Sequence, residues 1–184
     1  MAQVIPGDDC TGQSAQSAPA AELRVLLARV TRLEDERAII ETLHRYGQAA
    51  DDGDDQAWSN LFTEEGVFIC LDRDENVLLR EQGRPALAQW LRLFRANEVR
   101  LTRHCVLAPV VLIEGERALV KSYLTRISEN ADPYAPPFLL LMGKYRDEMI
   151  KQSDGQWRFA QRTALTDAPL RPPPSDAPLT NGRP

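Results

Sequence analysis

The sequence predicts an α+β fold, with helices packed on one curved antiparallel sheet. Three observations lead to it. From Ala20 to Ala96 apolar residues recur mainly at spacings of three and four, interrupted by one short hairpin pattern. Residues 99–166 carry four longer strand patterns, joined in part by the turn sequences Glu114-Gly115-Glu116 and Ser153-Asp154-Gly155. Helices followed by a long run of strands is the element order of α+β architecture. The chain has 184 residues, of which 43% are hydrophobic, enough for one globular domain with a real core.

The ends carry little that could be buried. Residues 1–19 are rich in Gly, Ser, Gln, Ala and Pro, and residues 168–184 hold six of the 13 prolines. Both segments are expected to be disordered. The folded domain is therefore expected over 20–167.

Ala20 to Ala50 reads as helix. Leu23, Leu26, Val30 and Leu33 form a narrow stripe of the a/d type. Thr31-Arg-Leu-Glu34 fits a capping box, so a second helix with a bend is expected to start there. Ile39, Ile40, Leu43, Tyr46, Gly47 and Ala50 then make one apolar face. Gly53 suits a left-handed position just after the helix, and Asp54 suits the cap of a short following helix with Ala57, Trp58, Leu61 and Phe62. Glu65–Leu71 and Val77–Glu81 read as a hairpin. Pro85 in a first turn opens a helix to Ala96 that buries Leu87, Trp90, Leu91 and Phe94. Strands are expected at 99–114, 117–129, 138–151 and 156–166, with Pro109 demanding a bulge in the first of them.

Charge and motifs narrow the function classes. Lys and Arg total 22 against 27 Asp and Glu, a net charge of −5, and no basic run is present. A nucleic-acid partner, which needs a basic face, is not expected. No stretch is apolar enough for a membrane span. The N-terminus lacks the basic and apolar regions of a secretory signal, so the expected compartment is the cytoplasm. Cys10, Cys70 and Cys105 have no zinc or disulfide spacing, and His44 and His104 cannot build an all-histidine metal site. Neither metal nor cofactor is expected. There is no glycine-rich phosphate loop and no GxSxG elbow.

Asp51, His104 and Tyr46 are the candidate catalytic residues. On a wheel of about 100° per residue, Asp51 falls about 120° from Ile39, at the rim of the buried face and one turn after Gly47. A carboxylate in the last turn opposes the helix dipole, so something should offset it. The plain alternative is a solvated acidic turn with Asp52, Asp54 and Asp55. His104 shares a strand face with Val106, which directs it inward, where it needs a hydrogen-bond partner. A backbone carbonyl would serve structurally. A buried carboxylate accepting from one ring nitrogen would instead fix the tautomer and leave the other nitrogen as a general base. Tyr46, on the same helical face as Ala50, can pack in the core or hydrogen-bond a substrate oxygen where charge develops. Tyr123 and Arg162 are candidate substrate-binding residues, Arg162 meeting either a substrate carboxylate or a surface acid. His44 is expected at the surface, and the stiff Asp132–Pro137 segment over a pocket mouth.

The runs Ala38-Ile-Ile-Glu-Thr-Leu-His-Arg-Tyr-Gly-Gln-Ala-Ala-Asp-Asp-Gly-Asp and Trp58-Ser-Asn-Leu-Phe-Thr-Glu-Glu-Gly-Val-Phe resemble the opening of SnoaL-like proteins of the NTF2-like superfamily. Thr102-Arg-His, Val110-Val-Leu-Ile-Glu-Gly-Glu-Arg-Ala, Gly143-Lys-Tyr-Arg-Asp-Glu and Trp157-Arg-Phe continue the resemblance in order, over about residues 33–165. It implies a cone-shaped, cystatin-like α+β barrel around a deep apolar pocket. It also implies that Asp51 and His104 match the Asp–His pair of scytalone dehydratase-like enzymes, bile acid 7α-dehydratases and dehydrochlorinases, and that Tyr46 matches the tyrosine of the bile acid enzymes. The second histidine of scytalone dehydratase has no counterpart near Ile127 and Ser128, and the further arginine of the bile acid enzymes is not assigned to a residue here.

The expected activity is a cofactor-independent dehydratase or isomerase acting on a small, largely apolar substrate that bears a carbonyl or hydroxyl. The alternative is a non-catalytic binding or assembly subunit like the β subunit of ring-hydroxylating dioxygenases. A homodimer or homotrimer is expected in either case, because exposed sheet faces and the Leu23–Leu33 stripe need covering.

Overall fold

The computed structural model describes residues 17–96, 101–132 and 134–167. The chain divides into two compact units, Met1–Arg37 and Ala38–Pro184. Helix α1, Ser17–Asp52, contributes to both. It begins three residues before the expected start, and no second helix begins at the Thr31–Glu34 capping box. Between Ala20 and Tyr46 the sequence holds neither Gly nor Pro, so nothing breaks the preceding turn for Thr31 to cap. The expected tails at 1–16 and 168–184 lie outside the described residues.

In the second unit, Ile39, Leu43, Tyr46 and Ala50 form the buried face of α1. The helix ends in a Schellman motif. The Asp54 N–H donates to the Ala49 carbonyl at 3.0 Å, the Gly53 N–H to the Ala50 carbonyl at 3.4 Å, and Gly53 has φ +74°. Asp54 then caps α2, Asp55–Ser59, by accepting from the Ala57 N–H at 2.9 Å. Trp58 of this short helix is fully buried.

The hairpin is β1, Phe62–Leu71, and β2, Val77–Gln82. Helix α3, Arg84–Ala96, buries Leu87 and Leu91 and half-buries Trp90 and Phe94. Its Arg84 guanidinium donates to the Phe62 carbonyl at 2.9 and 3.0 Å, tying α3 to the start of β1. The long strands are β3, Thr102–Glu114, β4, Arg117–Ser128, β5, Phe138–Lys151, and β6, Trp157–Thr166.

Among the described residues, six strands form one curved sheet in the order β2-β1-β6-β5-β4-β3. Four of its five pairings are antiparallel, as expected. The pairing of β1 with β6 is parallel. That departure follows from the connection through α3: β2 and β3 run in the same direction, so the antiparallel succession from β3 to β6 brings β6 back parallel to β1.

Alternation along β4 and β5 sets the inner face. Ala118, Val120, Ser122, Leu124, Arg126 and Ser128 point inward on β4, and Leu141, Gly143, Tyr145, Asp147 and Met149 on β5. Pro109 interrupts β3 as expected: the register shifts between Leu107 and Val110, and Ala108 adopts φ +48°. A second bulge acts on β6. Met149 pairs with Phe159 and Glu148 with Gln161, which leaves Ala160 unpaired. The inward set therefore changes from Trp157 and Phe159 to Arg162, Ala164 and Thr166. At Gly143 an added Cβ would lie 2.3 Å from the Leu165 carbonyl oxygen, so only glycine permits β5 and β6 to approach so closely there.

Candidate active site

The site begins with a close approach of helix to strand. A Cβ at Gly47 would stand 3.0 Å from the carbonyl oxygen of His104, so this glycine lets α1 settle against β3. One turn later Asp51 meets the same residue twice. Its Oδ2 accepts the backbone N–H of His104 at 2.9 Å, and its Oδ1 lies 2.6 Å from the ring Nδ1. The two side chains are 7% and 11% exposed, respectively. A carboxylate only accepts hydrogen bonds, so the ring proton sits on Nδ1 and Nε2 is the basic nitrogen. These donors also offset the unfavourable position of a carboxylate at a helix C-terminus.

His104 forms part of the wall of a cavity of about 270 Å³. Trp58, Phe68, Trp90, Phe94, Leu124 and Leu141 make much of the apolar lining, while Tyr46, Tyr145 and Arg126 bring polar groups to it. A larger recess of about 490 Å³ lies over Thr42–Asp54 and Gln156–Arg158 and contains neither His104 nor Asp51. Of these two, the smaller is the one that holds a histidine, and its lining is largely aromatic and aliphatic.

Tyr46 is buried among aromatic rings, with centroids 5.3 Å from Trp58 and 5.8 Å from both Tyr145 and Phe159. Burial pushes its hydroxyl well above the ordinary phenol range, and the neighbouring Tyr145 pushes it further; the Arg162 cation opposes both. The Tyr145 hydroxyl is also raised by burial, with the Arg162 cation opposing the rise. Tyr46 therefore keeps its proton and stays a hydrogen-bond donor at neutral pH.

Two expected substrate-binding residues stand elsewhere. Tyr123 is 57% exposed on the outer face of the sheet, because the alternation that places Ser122 and Leu124 inside turns it out. It lines a surface recess beside Val110 and Lys144. Arg162 reaches neither the cavity lining nor a surface acid, since the Ala160 bulge turns it into the core. It is fully buried, and its guanidinium carbon lies 3.6 Å from the Tyr145 ring centroid, 3.9 Å from Tyr46 and 4.6 Å from Phe159. Its Nε is 3.5 Å from Oδ1 of Asp147, directly opposite in the β5–β6 register. Among the described residues, no oxygen of Asp147 and no guanidinium nitrogen of Arg162 has a hydrogen-bond partner. Burial raises the Asp147 carboxyl to about 6, with Arg162 partly opposing the rise. Arg162 thus backs the two tyrosines of the cavity wall from behind.

His44 is exposed, as expected. The described part of the Asp132–Pro137 segment does not line the cavity, and Tyr134 is 95% exposed. Pro133 lies outside the described residues. Sequence reasoning missed Arg126. It lines the cavity, is 5% exposed, and stands directly across the β3–β4 ladder from His104. Its guanidinium lies 5.1 Å from the Phe94 ring centroid and donates to Thr102 Oγ1 at 3.4 Å. The signal was the alternation Ala118, Val120, Ser122, Leu124, Arg126, in which a charge occupies an inward position. Among the described residues, no group of three or more His, Cys, Asp or Glu side chains gathers as a metal site would require. No helix among them is long and apolar enough to cross a membrane.

The family model for the SnoaL-like domain matches residues 31–163. Among solved structures, an NTF2-like protein with a cystatin-like fold from Novosphingobium aromaticivorans is 25% identical, with a TM-score of 0.68 over 77% of this chain and 87% of its own. A scytalone dehydratase-like protein from the same organism is 22% identical, with a TM-score of 0.64 over 84% and 99% of the two chains. The β subunit of an aromatic-ring-hydroxylating dioxygenase, again from that organism, is 20% identical, with a TM-score of 0.65 over 76% and 92%. Comparison with curated proteins finds no match.

Proposed function

Because this chain belongs to the family of SnoaL-like domains, we propose that it is a cytoplasmic, cofactor-independent dehydratase or isomerase whose base is His104. The observation that carries the reading is the double grip of Asp51 on His104, at 2.6 Å to the ring and 2.9 Å to the backbone, beside an aromatic cavity. Asp51 fixes the ring and stabilises the imidazolium once a proton arrives. The substrate is small and largely apolar, with a carbonyl or hydroxyl.

Nε2 of His104 removes a proton from the carbon next to a carbonyl. The electron pair of that C–H bond moves toward the carbonyl oxygen, where the Tyr46 hydroxyl donates a hydrogen bond to the growing charge. Arg126 adds a permanent positive charge to the same cavity. In dehydration the enolate pair re-forms as a C=C bond and expels the β-hydroxyl, which leaves as water with the proton from the imidazolium. In isomerisation that proton returns to a different carbon. The scytalone dehydratase-like neighbour gives fold support to this class of chemistry.

A panel of β-hydroxy ketones tests the reading, with conjugated product followed by absorbance and exchange at the α carbon followed by NMR in deuterated water. His104→Ala should lower the rate about 10²–10⁴-fold. An unchanged rate rejects the assignment. An assembly subunit like the dioxygenase β subunit would instead co-purify with a larger partner and retain its role with Asp51→Asn.

A further inference from the structure

Among the described residues, the N-terminal unit carries an exposed apolar stripe. Every residue of α1 from 19 to 34 is exposed. Leu23 is 57% exposed, Leu26 49%, Val30 49% and Leu33 66%. A lone helix of this length is marginal in water and normally depends on packing one face. The stripe follows a heptad, with Leu23 and Val30 at a and Leu26 and Leu33 at d. It is not the core face of the same helix carried backward. In the same heptad count Ile39, Leu43, Tyr46 and Ala50 occupy only c and g, and the apolar seam stops at Arg37, which falls on an a position.

We propose that residues 20–37 of α1 form a parallel, two-stranded coiled coil with the same residues of a second copy of this chain. A β-branched Val at a with Leu at d favours two parallel strands. The flanking charges select the direction. In the parallel pair Arg29 at g faces Glu34 at e of the second copy, the two-fold axis repeats this attraction on the other side, and the like-charge pair Glu36 and Glu41 falls beyond the last apolar layer at Leu33. An antiparallel pair keeping the same apolar layers would set Arg29 against Arg29 and Glu22 against Glu36, two kinds of like-charge contact. Leu27, 56% exposed at e, flanks the seam and is covered in part by the second helix.

Sedimentation equilibrium of the full chain tests this. The parent chain should be a dimer, and Leu26→Asp with Leu33→Asp should raise its dissociation constant at least about a hundredfold by placing charge at both d layers. The near-UV circular dichroism, which reports Trp58, Trp90 and Trp157, and the melting of the sheet-bearing unit should be unchanged in that variant, while the far-UV helical signal falls. Arg29→Glu should weaken the dimer about tenfold, and adding Glu34→Arg should restore it. Under oxidation Val30→Cys should cross-link the copies above the background of the parent thiols, and Ala28→Cys, at the outer f position, should not. A monomeric or trimeric parent chain overturns the proposal. So does a dimer indifferent to the two Asp substitutions, charge substitutions that fail to weaken and then rescue it, or equal cross-linking at 28 and 30.

Discussion

A side chain one carbon longer at Gly47 would press on the carbonyl oxygen of His104 at 3.0 Å. The spacing from Gly47 to Asp51 is one helical turn, so the approach that glycine permits is the approach that delivers the carboxylate. Gly47→Ala gains up to about 1 kcal/mol of helix propensity but must move helix and strand apart by a few tenths of an ångström. The expected outcome is a melting temperature within a few degrees of the parent and a rate lowered about tenfold, the loss arising from misplacement of the base. Paired calorimetry and rate measurements check it.

Asp51→Asn replaces one accepting oxygen by a donating NH₂ group, which must then face either the His104 backbone N–H or its ring N–H. The expected cost is about 1–3 kcal/mol of stability, read by urea unfolding. The dehydratase or isomerase rate should fall about 10²–10⁴-fold. The downfield proton signal of the Nδ1–H in NMR should also be lost or moved, a change independent of any substrate.

The Asp147–Arg162 pair should behave as a unit. Arg162→Met alone leaves a buried carboxylate without its cation and should cost about 3–5 kcal/mol, whereas adding Asp147→Leu should recover most of the loss. A double-mutant cycle in urea measures the coupling. Additive losses would show that the 3.5 Å approach carries no energy.

Asp147 also fixes a pH dependence. Its carboxyl titrates near 6 in the folded protein against an ordinary value of 3.8. Between those values the native state holds a proton that the unfolded chain has released. Stability contributed by this group is therefore full below about pH 4 and declines as pH rises to about 6. The decline should be on the order of 1–3 kcal/mol, and Asp147→Asn should flatten it. The difference between the two stability curves isolates this group from the other carboxylates.

The sequence revealed the helices and strands because their periods are local. Gly53, Asp54 and Pro109 announce a helix stop, a cap and a bulge by their own backbone preferences. Asp51 and His104 could be paired because each lies at an inward rim of its element. Arg162 was misplaced because the unpaired Ala160 reverses the inward phase of β6, and neither Ala160 nor its neighbours carry a Gly or Pro to signal it. Tyr123 and Arg126 exchanged significance for a related reason. They are three residues apart on one strand and so on opposite faces, and which face is inner depends on what packs against β4. Nothing local marks Asp147, whose burial makes sense only with Arg162 opposite it.

The side-by-side alignment of β1 with β6 has a consequence for synthesis. Phe62 and Phe159 meet in that ladder, so the early hairpin has no neighbour on its open edge until nearly all of the described chain has left the ribosome. Pairing of such remote segments slows folding. The aromatic cavity beside His104, to which Phe68 from the early strand and Ala164 from the late one both contribute, is thus completed as one of the last events in the birth of the molecule.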